Sequence, residues 1–488
     1  MRIGLYISLF LVVSILSAGC SQTNLLSSSK NQLSFSTDTL TFDTVFATIG
    51  STTGNFKVYN RTDNPVLIQN IQLVNGSITG FHINVDGTNP TNNEVQQVEI
   101  KAHDSIFVFV SVTVNPLQQN NPVLIEDSVL FVTSTNKYAV KLIAYGQNVT
   151  IFRNQTIHHD TTLTAEKPYL VFGYLALDSN KTLTIQPGAK IYFHQNASLL
   201  LKGNLIAQGG ESADQHIILQ GDRLDWLFPD VPYSYLSGQW YGVQCLGSES
   251  TYQLNHVIIK NGRVGISVGV GSSSVPQPSI TIANSQIQNF DSCGIEATNV
   301  NLFMYNTEVS NCKSYCLNFQ GGVYQLTHNT IANFYNDIYT GKQRDGNPSV
   351  IFSNKIHQQS VPLKVTMNNC VISGSQSKEL AVADTIVSND NQFHFDHCYI
   401  MAPPFFTSVM NGTIWGKLSD HLFVSTSISP SYYNFKPDSL SILRGAADPI
   451  VSKTPPYQYD MNGIDRFWQN KPDVGAYEWI PKNGIPSS

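Results

Sequence analysis

Hydrophobic and polar residues alternate in short runs along most of this chain. "NFKVYN" (55 to 60) and "SIFVFVSVTV" (105 to 114) are short alternating runs rich in Val, Ile, Phe and Thr, and turn residues separate such runs about every ten positions. This period-two pattern predicts short strands, and its spacing over 33–150 predicts a β-sandwich. The pattern then becomes a repeat. In "NSQIQNF" (284 to 290), "NTEVSNC" (306 to 312) and "HNTIANF" (328 to 334), Ile287, Val309 and Ile331 fall 22 residues apart, as do Asn289, Asn311 and Asn333. The same frame returns in "NHVIIKNG" (255 to 262), "NCVISG" (369 to 374) and "HCYIMA" (397 to 402). Each unit has a β-branched stretch followed by Asn or Gly, and no apolar period of 3.6 residues runs long enough for a helix. The spaced leucines of a leucine-rich repeat are absent. The predicted fold class is all-β: a sandwich, then a right-handed parallel β-helix over 151–480.

Stacking explains such a repeat. One coil cannot bury its apolar residues alone, but successive coils hydrogen-bond at about 4.8 Å and lay like on like. About 22 residues per coil from 160 to 450 predict roughly 13 coils and a rod of some 60 Å. Asn289, Asn311 and Asn333 are expected to stack at a turn, where asparagine tolerates left-handed backbone. Cys293, Cys316, Cys370 and Cys398 sit at repeat positions and are expected inside as small hydrophobes. A Cys312–Cys316 disulfide is the alternative use of the nearest pair. No Cys/His spacing suggests zinc. His256, His328 and His397 fall in the repeat frame and read as stacked polar groups, while His158 and His159 adjoin the junction of the two domains.

The first 32 residues are different. Arg2, an apolar run from Gly4 to Leu16, and small Ser17, Ala18 and Gly19 have the order of an export signal. A membrane span needs roughly 20 apolar residues, and this run breaks too early. Leu16-Ser17-Ala18-Gly19-Cys20 resembles the lipobox of bacterial lipoproteins. That resemblance implies removal of residues 1–19 and acylation of Cys20 by chains such as palmitate, an almost permanent membrane anchor. Residues 20–32, rich in Ser and Asn, read as a flexible tether. Ser21 is not the Asp that signals inner-membrane retention, so the outer membrane is expected, with the leaflet open.

Composition narrows the partners. Only 13% of residues are charged and the net charge is −6, against about 25% charged in ordinary soluble proteins. Without a basic run, the electrostatic attraction that nucleic-acid binding needs is missing.

Three further stretches carry resemblances. "FDTVFATIGSTTGNFKVYNRTDNPVLIQNIQL", "HDSIFVFVSVTVNP" and "YAVKLIAYGQ" resemble the Ig-like domains that precede repeat modules in bacterial surface proteins, and such domains mostly act as spacers. The stretch 160 to 210 and "GQWYGVQCLG" (238 to 247) resemble the opening coils of right-handed β-helix surface proteins. "DMNGIDRFWQNKPDVGAYEW" (460 to 479) is similar to the closing segment of bacterial, Bacteroidetes-type, β-helix lipoproteins. There, Asp460, Arg466 and Asp473 read as capping charges that pair with one another. A calcium loop at Asp460, Asn462 and Gly463 lacks its later acidic ligand, so no metal or other cofactor is expected.

Many β-helices of this type degrade polysaccharides, so catalysis has to be weighed. Glycoside hydrolysis needs two facing carboxylates, and lyase chemistry needs a Lys or Arg base beside a carboxylate or calcium. Neither set forms a recognisable motif. Charged and aromatic residues gather instead in two insertions, and insertions of solenoids map to loops beside a binding face. The first, 220 to 242, carries Asp222, Arg223, Asp225, Trp226, Asp230, Tyr233, Tyr235 and Trp240. The second, 339 to 349, carries Lys342, Arg344 and Asp345. Rings beside carboxylates suit sugars, whose CH faces stack while their hydroxyls bond to polar groups. Trp226 and Trp240 have the plainer use of packing a long loop onto the rod, which their residue type favours. The expectation is therefore an outer-membrane-anchored lipoprotein whose β-helix binds polysaccharide or another surface polymer without catalysis. A polysaccharide lyase or glycoside hydrolase is the alternative, and a structural envelope protein or adhesin a third.

Overall fold

The computed structural model describes residues 33–488 apart from 229–230, 270–276, 338, 358, 384–390, 406–409, 428–432, 483 and 485–488. The signal, tether and Cys20 expectations, and Asp230, lie outside the described residues. The chain divides into two units, up to Asn148 and from Val149.

In the first unit, strands Leu33–Phe35, Gly54–Asn60, Ser105–Val112 and Phe81–Val85 form an antiparallel sheet. A second sheet contains Thr39–Phe46, Lys137–Gln147, Val123–Thr133, Val66–Leu73 and Glu94–Ile100. Its first pair is parallel and the others antiparallel. The period-two pattern builds their shared core directly. In "SIFVFVSV", Ile106, Val108, Val110 and Val112 point inward, and they meet Ile68, Ile71, Val129, Phe131 and Leu142 of the other sheet.

The second unit is dominated by one all-parallel sheet of 26 strands. Each strand pairs with one a full coil further along, so the chain winds through three faces in the pattern of a β-helix. One face runs from Lys190–Phe193 through Ile217–Gly221, Val257–Lys260, Gln286–Phe290, Glu308–Cys312, Thr330–Asn333 and Val371–Gly374 to Tyr399–Ile400. The expected register holds: Ile287 pairs with Val309, and Val309 with Ile331. All three are fully buried, above Ile259 and below Ile372 and Ile400 in the same core.

The coil count is lower than the sequence suggested. The face from Thr161–Leu163 to Met410–Asn411 holds ten strands among the described residues. At about 4.8 Å per coil the stack is roughly 45 Å long. The difference has two causes: insertions lengthen several coils, and no described residue beyond Trp415 joins the large sheet.

Turns explain the asparagines and histidines. Entering the face described above, His256, Asn284, Asn306, His328, Asn369 and His397 all have φ between 46° and 53°, the left-handed region that asparagine tolerates best among residues with a Cβ. The ladder is bonded: Asn306 donates to Asn284 Oδ1 at 3.1 Å, and Asn284 to Asn255 Oδ1 at 2.9 Å. Leaving that face, Asn261, Asn289 and Asn311 are also left-handed, with Asn289 donating to Asn261 Oδ1 at 3.1 Å. Asn333 departs from its expected role. It is not left-handed, because the chain leaves the coil there for the second insertion, and its side-chain oxygen accepts from Cys312 N at 3.1 Å. All six cysteines from Cys245 to Cys398 are buried and unbridged.

Candidate functional site

Strand register determines which part of the long face stays open. Its outward side chains form two rows. One runs Ile258, Gln286, Glu308, Thr330, Val371 and Tyr399; the other runs Lys260, Gln288, Ser310, Ala332 and Ser373. From Glu308 and Ser310 onward every member is buried, while Ile258, Lys260, Gln286 and Gln288 remain partly exposed. The cover is the chain beyond 403. Leu422, Phe423, Phe435, Leu443 and Val474 pack on Ala332, Val371 and Tyr399, while Tyr477 bonds Glu308 and Gln286.

Both insertions arise at the turn that leaves this face, the first after Ile217–Gly221 and the second after Thr330–Asn333. They come together although about a hundred residues apart. Ser237 Oγ lies 2.9 Å from Tyr335 Oη, and Asn289 Nδ2 donates to Tyr235 O at 2.7 Å. Between them and the C-terminal cover lie two adjoining hollows. One, about 310 Å³, has Lys260, Gln286, Gln288, Asn289 and Asn311 as its floor and Ser234, Tyr235, Asn336 and Asp337 at its sides. The other, about 490 Å³, is lined by Phe334, Gln343, Arg344, Gln376, Thr426 and Ser427 among others. Tyr335, Asn336 and Tyr433 border both. The result is one polar groove walled by Tyr235, Tyr335 and Tyr433.

The residues singled out in the sequence meet different fates. Tyr235 lines the groove. Tyr233 lies under the Arg223 guanidinium, 3.8 Å from ring centre, and Arg223 forks onto Asp225 with two 2.7 Å bonds, so these three close on themselves. Trp240 is core: it is buried, stacks on Phe193 at 4.1 Å and donates to Lys260 O. Trp226 is half exposed, on the hairpin strand Trp226–Phe228, and is not among the residues lining the groove. Lys342 pairs with Asp291 at 3.1 Å, and Asp345 accepts from Ser314 Oγ and Asn347 Nδ2. Arg344 stands in the groove wall but is committed behind it. Its side chain is buried and forks onto fully buried Glu379 at 2.6 and 2.8 Å. Glu379 also accepts from Ser349 N, Ser349 Oγ and Gln376 N.

Sequence reasoning missed Tyr335, Tyr433, Gln288, Asn336, Gln343 and Gln376. The available clue was "NFYND" (333 to 337), where aromatic and amide residues begin an insertion.

Electrostatics in the groove are weak. Burial lowers the Lys260 ammonium below its ordinary value. Tyr335 is raised, and Tyr433 is pushed up to about 12, in both cases mainly by burial, so these two phenols stay protonated at neutral pH. Asp337 accepts from the backbone of Tyr339 and Thr340 and from Thr340 Oγ1, holding its own loop.

The closing segment is wired differently from expectation. Asp460, Arg466 and Asp473 do not pair with one another. Arg466 pairs with Glu478 at 2.8 Å and bonds Asn306 Oδ1 at 2.9 Å. Asp460 accepts from Asn462, Ile464 and Glu478 N, and Asp473 from Gly445 and Trp479 N. Backbone donors at fixed positions thus use the carboxylates the sequence had given to Arg466. Among the described residues, Asp396, His397 and Asp448 alone bring three ligand-type groups close enough for one ion. His397 and Asn411 are bonded to Asp396, and Asp448 caps the short helix Pro449–Lys453. No helix among the described residues is long and apolar enough to cross a membrane.

No protein-family model and no curated protein matches the chain. Among solved structures, a family 123 glycoside hydrolase from Clostridium perfringens is 9% identical, with a TM-score of 0.18 over 25% of this chain and 30% of that one. The YadV chaperone is 15% identical, TM-score 0.17, over 24% of this chain and 52% of its own. A PapD-like domain of human CEP192 is 12% identical, TM-score 0.17, over 26% of this chain and 95% of its own. The chain thus spans less than two thirds of the first two, and likenesses this slight carry no information on activity.

Proposed function

We propose that this protein is a lipoprotein of the bacterial outer membrane, anchored through Cys20, whose groove binds polysaccharide without transforming it. In this reading the sandwich is an Ig-like spacer. The stack is right-handed, the hand nearly all parallel crossovers take.

The groove itself carries the proposal: amides and hydroxyls on a rigid floor, with the partly exposed rings of Tyr235 and Tyr433 at the sides and buried Tyr335 between them. Rings take the CH faces of sugars, and fixed polar groups orient their hydroxyls. Binding is favoured over hydrolysis because Asp337, the carboxylate lining the described groove, is held by its own loop, whereas hydrolysis needs a facing pair.

The test uses the purified mature protein and its Tyr433→Ala variant against a polysaccharide panel. Retardation in polysaccharide-containing gels reads binding; new reducing ends or unsaturated uronates read turnover. Binding that weakens at least tenfold in Tyr433→Ala, without turnover, is expected. Sustained turnover would establish the enzyme alternative. Labelling with an alkynyl palmitate analogue, lost in Cys20→Ser, checks the anchor.

A further inference from the structure

We infer that the polysaccharide in this groove is uncharged, a neutral hexose or pentose polymer rather than a uronate or sulfate chain. The inference rests on the glycan-binding reading above and concerns what that same groove selects.

Charge is the first observation. A polyanion site needs cations free to face the ligand. Here Arg344 has its charge answered by Glu379 through two hydrogen bonds within the wall. Lys260 has no carboxylate at ion-pair distance among the described residues, but it is the single such cation of the floor, and burial lowers its ammonium below the ordinary lysine value. Asp337 stands on the same rim and opposes any anion.

The second observation is what is left unspent. Gln288, Asn336, Gln343 and Gln376 line the groove, and their side chains make no hydrogen bond among the described residues. Each primary amide offers two donors and an acceptor. A sugar hydroxyl is likewise donor and acceptor at once, so four unspent amides fit a hydroxyl-rich neutral chain. Carboxylates and sulfates only accept, so wherever one replaces a hydroxyl the amide carbonyl facing it goes unanswered at an added desolvation cost.

Native gels cast with neutral polymers (mannan, dextran, laminarin, xylan) or anionic ones (polygalacturonate, alginate, chondroitin sulfate) test this at low and at high salt. Retardation by at least one neutral polymer is expected, changing less than about twofold with salt because no net charge is neutralised. Gln288→Ala with Asn336→Ala should weaken it at least tenfold. Retardation by anionic polymers alone, lost in high salt or in Lys260→Met, overturns the inference and leaves polysaccharide binding standing. Retardation by neither set overturns the glycan reading itself, and this inference with it.

Discussion

Replacing Glu478 by glutamine should flatten the pH dependence of folding. Glu478 and Arg466 are both buried, bonded at 2.8 Å, and Asp473 N donates to both carboxylate oxygens at 3.0 and 3.2 Å. Burial, the largest influence, pushes Glu478 from its ordinary 4.5 up to about 8; Arg466 opposes the rise and Asp473 adds to it. Burial also raises Asp460 and Asp473. One guanidinium therefore faces three crowded carboxyls, and the folded chain keeps a proton that the unfolded chain releases near pH 4.5. More protons are bound folded than unfolded throughout that window. The stabilisation is complete below 4.5 and is lost as pH rises through about 8, at up to 1.36 kcal/mol per pH unit. The ceiling is about 5 kcal/mol; because the surroundings relax and admit water around a buried carboxylate as it ionises, a loss of about 2 to 3 kcal/mol is expected. Glutamine keeps the shape and has no proton to lose. Urea unfolding at intervals from about pH 5 to 8 should show wild-type stability falling relative to Glu478→Gln by that amount. Parallel curves, or a wild type that gains on the variant as pH rises, would refute the argument and mean that Glu478 is ionised throughout.

Two further substitutions test the stacking. Val309→Ala removes a fully buried side chain between Ile287 and Ile331 and should cost about 2 to 3 kcal/mol in urea unfolding, while affinity for a bound polymer stays unchanged. Trp240→Ala should cost about 3 to 5 kcal/mol, having lost its stack on Phe193, whereas half-exposed Trp226→Ala should stay within about 0.5 kcal/mol. Thermal melts compare the two tryptophans directly.

The contrast between those tryptophans shows what the sequence could convey. Ile287, Val309 and Ile331 were legible because stacking imposes repetition, and repetition is visible without coordinates. Trp240 and Trp226 share an insertion and a residue type, and only burial tells them apart. Trp240 stands just before the strand Gly242–Cys245, so the coil recaptures it. Arg344 misled for a related reason. An arginine in a loop reads as available, yet its partner Glu379 lies 35 residues on and is fully buried. The groove residues Tyr335 and Tyr433 belong to no repeat and meet across 98 residues of chain, a distance periodicity does not span.

Part of the groove's position was nevertheless written in the chain. Along one row of the long face the outward residues read Lys260, Gln288, Ser310, Ala332, Ser373. The long amphipathic side chains come first and small ones follow. Small outward residues let another layer approach closely, and the aromatic residues beyond 403 pack there, on Ala332 and Val371. Lys260 and Gln288 would have to give up water to be covered in the same way, and an unpaired buried amide or ammonium costs more than the contact returns. The cover therefore stops at Glu308 and Ser310. The face stays open where its own side chains need a polar partner, and a ligand that satisfies those amides completes there what the C-terminal segment completes further along the stack.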